Sequence, residues 1–305
     1  MSQFPEQPGR APGVDGSRDP QRAEKLPRRP PSGLWIMTLI LTAVIAGPLL
    51  YRGIPHEISR WYVAAAMENR AAGKTEQAYE NMQRALGWYS QEPAHYLERA
   101  KWRREDRQYE GALSDCNKAI ELGGETKDAL EERSQAYQYL SRHGAAIADW
   151  KKLDRLSETT GDPDRASALN GLAYARAVGK LELDEGLKNI EEAMRLQPDS
   201  APLIDTRGFL RYLTGDLAGA LSDMETAVAQ IEAIYSRMEA MRKEEKASTL
   251  NGDQRKQFEQ FKQSVAVIRY HRALVYEKLD REKDAKADLA RVKELIGREA
   301  DETLF

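Results

Sequence analysis

The chain of 305 residues has one cysteine, Cys116, and four histidines. A single thiol excludes an internal disulfide and any paired-cysteine metal knuckle, and leaves the redox compartment open. The histidines, His56, His95, His143 and His271, are scattered, and no two are spaced as metal ligands on one helix would be. There is no G-x-x-x-x-G-K-[ST] loop to cradle a phosphate, no G-x-S-x-G elbow and no H-E-x-x-H pair. Charge of one sign is also lacking: the net charge of −3 gives no reason to expect a nucleic-acid partner. These absences imply no enzyme, no catalytic residues, no cofactor and no metal site. The bland readings follow for the rest. His95 and Glu98, one turn apart, read as a solvated helix face, His143 as a C-cap in a turn, and Cys116 as a buried small hydrophobe.

Long apolar runs are scarce as well. Residues 1–33 hold seven of the 13 prolines and almost no large apolar side chains, so they are expected to form a disordered tail. The one strongly apolar run follows, from Leu34 to Leu50, flanked by Trp35 and Tyr51. At about 1.5 Å per residue its length is near the lower limit for a bilayer span. No small-x-small cleavage site follows in residues 49–55, and the run lies outside the repeat register described below. A membrane-inserted signal anchor from Leu34 to Tyr51 is therefore expected in preference to a cleaved signal peptide or a core helix. Arg18, Arg22, Lys25, Arg28 and Arg29 precede the run, against Arg52, Arg60 and Arg70 after it. That excess places the N-terminus in the cytoplasm and the rest of the chain across the membrane, periplasmic in a bacterium, with the opposite topology left open.

What the chain does have is a register of small residues. Ala78, Ala112, Ala146, Gly186, Ala220 and Ala285 are separated by 34, 34, 40, 34 and 65. Seven residues after each comes a second small or aliphatic residue: Ala85, Ala119, Leu153, Ala193, Ala227 and Val292. A third precedes each by 12, or 13 in one case: Ala66, Ala100, Ser134, Ala173, Gly208 and Ala273. Positions seven apart share a helix face, and a small residue there lets a neighbouring helix approach closely. Turns such as Leu213-Thr-Gly-Asp216 and Ser141-Arg-His-Gly144 separate the two helices, with glycine expected in the left-handed conformation. A 34-residue period of helix pairs predicts an all-α solenoid, and solenoids bind proteins far more often than they catalyse.

Two stretches carry a family pattern. Tyr109-Glu-Gly-Ala-Leu-Ser-Asp-Cys-Asn-Lys-Ala-Ile-Glu-Leu122 and Glu185-Gly-Leu-Lys-Asn-Ile-Glu-Glu-Ala-Met-Arg-Leu-Gln-Pro198 resemble tetratricopeptide repeats (TPRs), the second with the helix-ending proline. The resemblance implies a right-handed superhelical solenoid of about six helix-turn-helix repeats over residues 57–298, after one transmembrane helix and before a short tail, 299–305. Helical hairpins are expected near 59–90, 93–123, 127–156 and, for two repeats, 166–230. The interval of 40 marks a longer loop over 157–164. The interval of 65 exceeds one repeat by about 31 residues, which predicts an elongated helical hairpin near 229–265 with its break at Asn251-Gly-Asp253. Ile231, Tyr235, Met238 and either Met241 or Arg242 would share one face of that arm, opposite Phe258, Phe261 and Val265. The arm is a candidate for self-association into a scaffold, or simply a hairpin packed on itself.

In the TPR family the first helix of each repeat lines the binding groove. Carried over, an early charged half comprises Leu97, Lys101, Arg104, Glu105, Asp128, Glu131, Gln135 and Gln138. A later half, richer in aromatic and apolar residues, comprises Asn170, Tyr174, Asp205, Phe209, Tyr212, Tyr270 and Leu274. Exposed aromatics in such a groove mark an interaction surface for a peptide or partner protein, unless a tight superhelix covers them with its own terminal helices. The Lys/Asn/Arg clamp by which some TPR proteins grip a C-terminal carboxylate is absent, because Lys101 stands where the pattern requires Asn. The resemblance implies a membrane-anchored interaction module with an unidentified protein client and a possible homo-oligomer.

Overall fold

The structure, a computed structural model, describes residues 33–160, 164–244 and 252–300. The expected tail over 1–33 lies outside them but for its last residue, as do the tip of the arm (245–251) and residues 301–305. Among the described residues there are twelve helices and no strand. The chain divides into two units, Met1–Gly53 and Ile54–Phe305, and the repeats occupy the second. Helix α1 (Gly33–Ala71) contains both the apolar run and the first helix of repeat one. Many side chains of 34–52 lie outside the description, those of Trp35 and Tyr51 included. Among the described residues no helix is long and apolar enough to cross a membrane.

The remaining helices pair as the period requires. They are α2 (Thr75–Trp88), α3 (Pro93–Glu105), α4 (Tyr109–Gly123), α5 (Lys127–Tyr139), α6 (His143–Thr160) and α7 (Arg165–Gly179). Then follow α8 (Leu183–Leu196), α9 (Ala201–Thr214), α10 (Leu217–Glu244), α11 (Gly252–Lys278) and α12 (Glu282–Ile296). Each packs on its sequence neighbours, and the first helices of successive repeats also touch, α3 on α5, α7 on α9 and α9 on α11. Every small residue of the register is buried. Gly208 shows why size matters there: a Cβ would lie 3.0 Å from the Asp223 Cβ, so α9 and α10 could not meet as they do.

The turn between the two helices of a repeat has a second register. Seven residues after each leading small residue the backbone is left-handed: Gly73, Arg107, Ser141, Lys180, Gly215 and Asp280. Glycine supplies this at Gly215 as expected, but in 141–144 it is Ser141 that turns, and Gly144 lies inside α6. Helix α9 starts at Ala201 with Pro202 in its first turn, and Ser200, at the N-cap position, makes no side-chain cap hydrogen bond. Helix α6 runs into the expected loop as far as Thr160, with Ser157 buried on it.

A ladder of buried ion pairs ties the two helices of four repeats together. Arg99 grips Asp115, Arg133 grips Asp149, Arg207 grips Asp223 and Arg272 grips Asp288, each through two guanidinium nitrogens and each 16 residues apart. A second arginine joins in three of them: Arg103 at 2.7 Å, Arg211 at 2.8 Å and Arg269 at 2.5 Å. The arginine immediately precedes the leading small residue and the aspartate follows the second-helix small residue by three. Repeats one and four break the pattern with Ala65 and Leu172.

The arm is a hairpin of α10 and α11 that packs on itself and on α12. Ile231, Tyr235, Phe258, Val265, Val292 and Leu295 form one cluster. Arg242, not Met241, takes the inward place: its guanidinium carbon lies 4.9 Å from the Phe258 ring centre, whereas Met241 is exposed.

Candidate functional site

The groove expected from the first helices is partly filled by the protein itself. In its early half, Arg104 donates two hydrogen bonds to the Glu132 carboxylate at 2.9 and 3.1 Å. Burial works against the Arg104 charge, but Glu132 outweighs it and raises the guanidinium pKa. Glu105 accepts from Arg70 at 3.1 Å. Gln135 donates to Glu131 at 3.4 Å, and burial, then the neighbouring Glu132, raises the Glu131 pKa. Lys101 is half-buried on α3. In this half Arg104 and Glu105 are therefore already engaged within the protein.

In the later half the expected exposed aromatics are covered by α11. His271, fully buried, places Nδ1 2.9 Å from both Asp205 carboxylate oxygens. Phe209 stacks on the His271 ring at 4.2 Å and is only 6% exposed. Tyr174 lies 6.2 Å from the same ring, and burial, reinforced by the Asp205 charge, pushes its phenol well above its usual pKa. Tyr174, Asp205 and Phe209 are thus all packed around the His271 ring of α11. The Asp205–His271 pair was not anticipated because its members stand 66 residues apart. It is sealed in packing, and its position between α9 and α11 makes it a fastening for the last repeat. Asn170 keeps its Oδ1 buried with no hydrogen-bond partner.

The other histidines correct the bland readings. His95 is buried, with Nδ1 3.4 Å from the Ser59 hydroxyl, and burial lowers its pKa. His143 is not a C-cap but the first residue of α6. Cys116 is buried as expected, and burial pushes its thiol up to about 12. Among the described residues no group of three or more His, Cys, Asp or Glu side chains is placed to hold a metal.

What stays open is a cleft of about 710 Å³ between the turns of repeats two to four and the first helices of repeats five and six. Of the groove positions carried over from the family pattern, Gln138, Phe209, Tyr212, Tyr270 and Leu274 line it. Lys101, Arg104, Gln135, Asn170, Tyr174 and Asp205 do not. Its turn side adds residues the pattern missed: Arg107, Tyr109, Tyr139, Ser141, His143 and Lys180. Tyr109 and Tyr139 stack face to face at 4.6 Å, with Tyr139 43% exposed. The walls combine four tyrosines with Leu213, Leu274 and Val178. That mixture of apolar body and polar tip suits an extended chain with alternating side chains.

The architecture can be compared with solved structures. PilW, described as a widely conserved type IV pilus biogenesis factor, aligns with a TM-score of 0.56 at 15% identity, over 81% of this chain and 96% of its own. The fold is that of a tetratricopeptide-repeat solenoid. A TPR protein from Parabacteroides merdae aligns with a TM-score of 0.53 at 12% identity, covering 79% of this chain and 94% of its own. PilF of Pseudomonas aeruginosa aligns at 0.51 and 14%, covering 80% and 94%. At these identities the likeness concerns the fold alone. No family model matches the sequence, and no curated protein matches it.

Proposed function

We propose that this chain is a non-catalytic protein–protein interaction module that takes an extended segment of a partner protein into the tyrosine-lined cleft. The observation that carries the reading is the cleft itself: about 710 Å³, open, and walled by Tyr109, Tyr139, Tyr212 and Tyr270 beside apolar side chains. Tyrosine gives large contact area at low entropic cost, which is why it is enriched among residues that dominate binding energy. The TPR fold supports the same reading by analogy. Phe209 is excluded from the recognition role because it is committed to His271.

The test uses a peptide selected for binding to the immobilised full chain. Tyr139→Ala with Tyr212→Ala should weaken that peptide by about tenfold or more while leaving far-ultraviolet circular dichroism unchanged. Undiminished affinity refutes the cleft as the site.

The module is proposed to act at a membrane, anchored by 34–51 with the N-terminus cytoplasmic and the repeats on the far side. The support is the apolar run and the excess of Arg and Lys before it. Protease added to intact cells, or to spheroplasts if the source is bacterial, should then digest the repeats and spare the N-terminus. Protection of the repeats until the membrane is dissolved reverses the topology, and release by salt alone removes the anchor.

A further inference from the structure

The cleft has a sign. Arg107 and Lys180 line it, with the half-buried His143 between them in sequence, and no carboxylate does. Neither Arg107 nor Lys180 makes an ion pair among the described residues, although carboxylates lie close by in sequence. Three of those, Asp106, Glu110 and Glu182, are engaged elsewhere. Asp106 is held by Arg70 at 2.7 Å and by the Tyr79 hydroxyl at 2.8 Å. Glu110 is held by Arg142 at 2.6 Å. Glu182 is held by Arg176 at 3.0 Å and by Lys151 at 3.2 Å. The early-groove cation Arg104 is neutralised by Glu132. Two cations without an ion pair among the described residues thus line this cleft.

Arg107 and Lys180 occupy the left-handed turn position, at φ 59° and 51°, which Ser141 and Asp280 also take and where repeats one and five use Gly73 and Gly215. Glycine is the unstrained choice there, so either cation can be replaced by glycine without disturbing the turn.

We infer that the cleft selects an acidic segment of its partner: an extended peptide carrying Asp or Glu side chains interleaved with aromatic or aliphatic ones. This rests on the cleft being the binding site. The carboxylates meet Arg107 and Lys180 on the turns, and the apolar side chains lie against Tyr139, Tyr212 and Leu274. The cations here belong to the turns between paired helices, not to the groove positions of the first helices. A charge at the rim of an interface chiefly sets selectivity and association rate.

The test measures fluorescence anisotropy on the full chain in detergent. The probe is a short fluorescein-labelled peptide with glutamates alternating with phenylalanine and leucine, amidated at its C-terminus so that only side-chain carboxylates are present. Twins carry glutamine or lysine in place of glutamate. The acidic probe should bind at least about tenfold more tightly than the glutamine twin, and the preference should shrink as salt rises. Arg107→Gly with Lys180→Gly is the decisive variant, because it removes both cations while relaxing the turns. It should lose the preference for the acidic probe with an unchanged or raised melting temperature. A free-acid version of the probe that alone binds would assign the cations to a chain terminus and overturn the inference. So would equal binding of all three twins, or an acidic preference that survives the glycine variant. If the glutamine or lysine twin binds as well and Tyr139→Ala with Tyr212→Ala removes it, the charge inference falls and the cleft stands. Binding that ignores both variants removes the cleft itself.

Discussion

Asp223→Asn is the sharpest perturbation of the ion-pair ladder, since it keeps side-chain volume and deletes one charge. Asp223 is buried and accepts from Arg207 Nε at 2.9 Å, Arg207 Nη2 at 2.6 Å and Arg211 Nη1 at 2.8 Å. Removing one partner of a buried pair costs roughly 3–5 kcal/mol, because the other charge stays out of water. The Arg207 and Arg211 side chains retain 25% and 29% exposure, so solvent recovers part of that loss. The expected cost is therefore about 3 kcal/mol, at the lower end of the range. It should appear locally, since a repeat array unfolds by neighbouring units and a single global transition is not assured. The assay is hydrogen exchange of the α9 and α10 amides, with a double-mutant cycle that adds Arg207→Gln. The cycle should return a coupling of about 1–3 kcal/mol between the two side chains. Protection of α9 and α10 within about 0.5 kcal/mol of the parent would refute the reasoning and class the pair with surface ion pairs.

Further predictions concern packing and titration. Gly171→Ala on α7 would set a Cβ 2.6 Å from three atoms of the Trp150 indole, so α6 and α7 must part. A loss of about 1–3 kcal/mol in urea denaturation is expected, and an unchanged midpoint would contradict the contact. His271→Ala should leave the Asp205 carboxylate buried without its imidazole and lower stability by about 3 kcal/mol or more, with the α9–α11 amides losing protection first. Protection lost first in another repeat would deny the pair its fastening role. Cys116 should resist a thiol reagent at neutral pH until denaturant is added, given a buried thiol pushed up to about 12. Burial lowers the His95 pKa, so the unfolded chain binds the extra proton more readily than the folded one. Its contribution is complete above the unfolded value of about 6.5 and stability falls as pH drops below it, so His95→Gln should flatten the acid limb of a stability–pH curve.

Much of the fold was legible because its determinant is local and repeated. Small residues at 34-residue spacing admit one kind of packing, and all of them are buried where helices meet. The ladder was equally present in the sequence, as an arginine before Ala100, Ser134, Gly208 and Ala273 and an aspartate three after Ala112, Ala146, Ala220 and Ala285. It went unread because charged residues on helices are usually solvated. The site was less legible. Phe209 and Tyr174 meet His271 of a helix far along the chain, and nothing local to α7 or α9 announces that return. His95 is buried beside Ser59, which belongs to the preceding repeat and itself donates to the Ala85 carbonyl of α2. The turn cations escaped because a left-handed position reads as glycine, and Arg107 and Lys180 are not glycine.

The central claim is that the tyrosine-lined cleft is where a partner chain lies. A photo-crosslinking residue placed at Tyr139 or Tyr212, and as a control at the exposed Lys188 on α8, tests it in intact cells with the full chain. The same partner adduct is expected from both cleft positions, none from Lys188, and loss of the adduct when a selected cleft peptide is in excess. Adducts of equal yield from Lys188, or from that position alone, would contradict it.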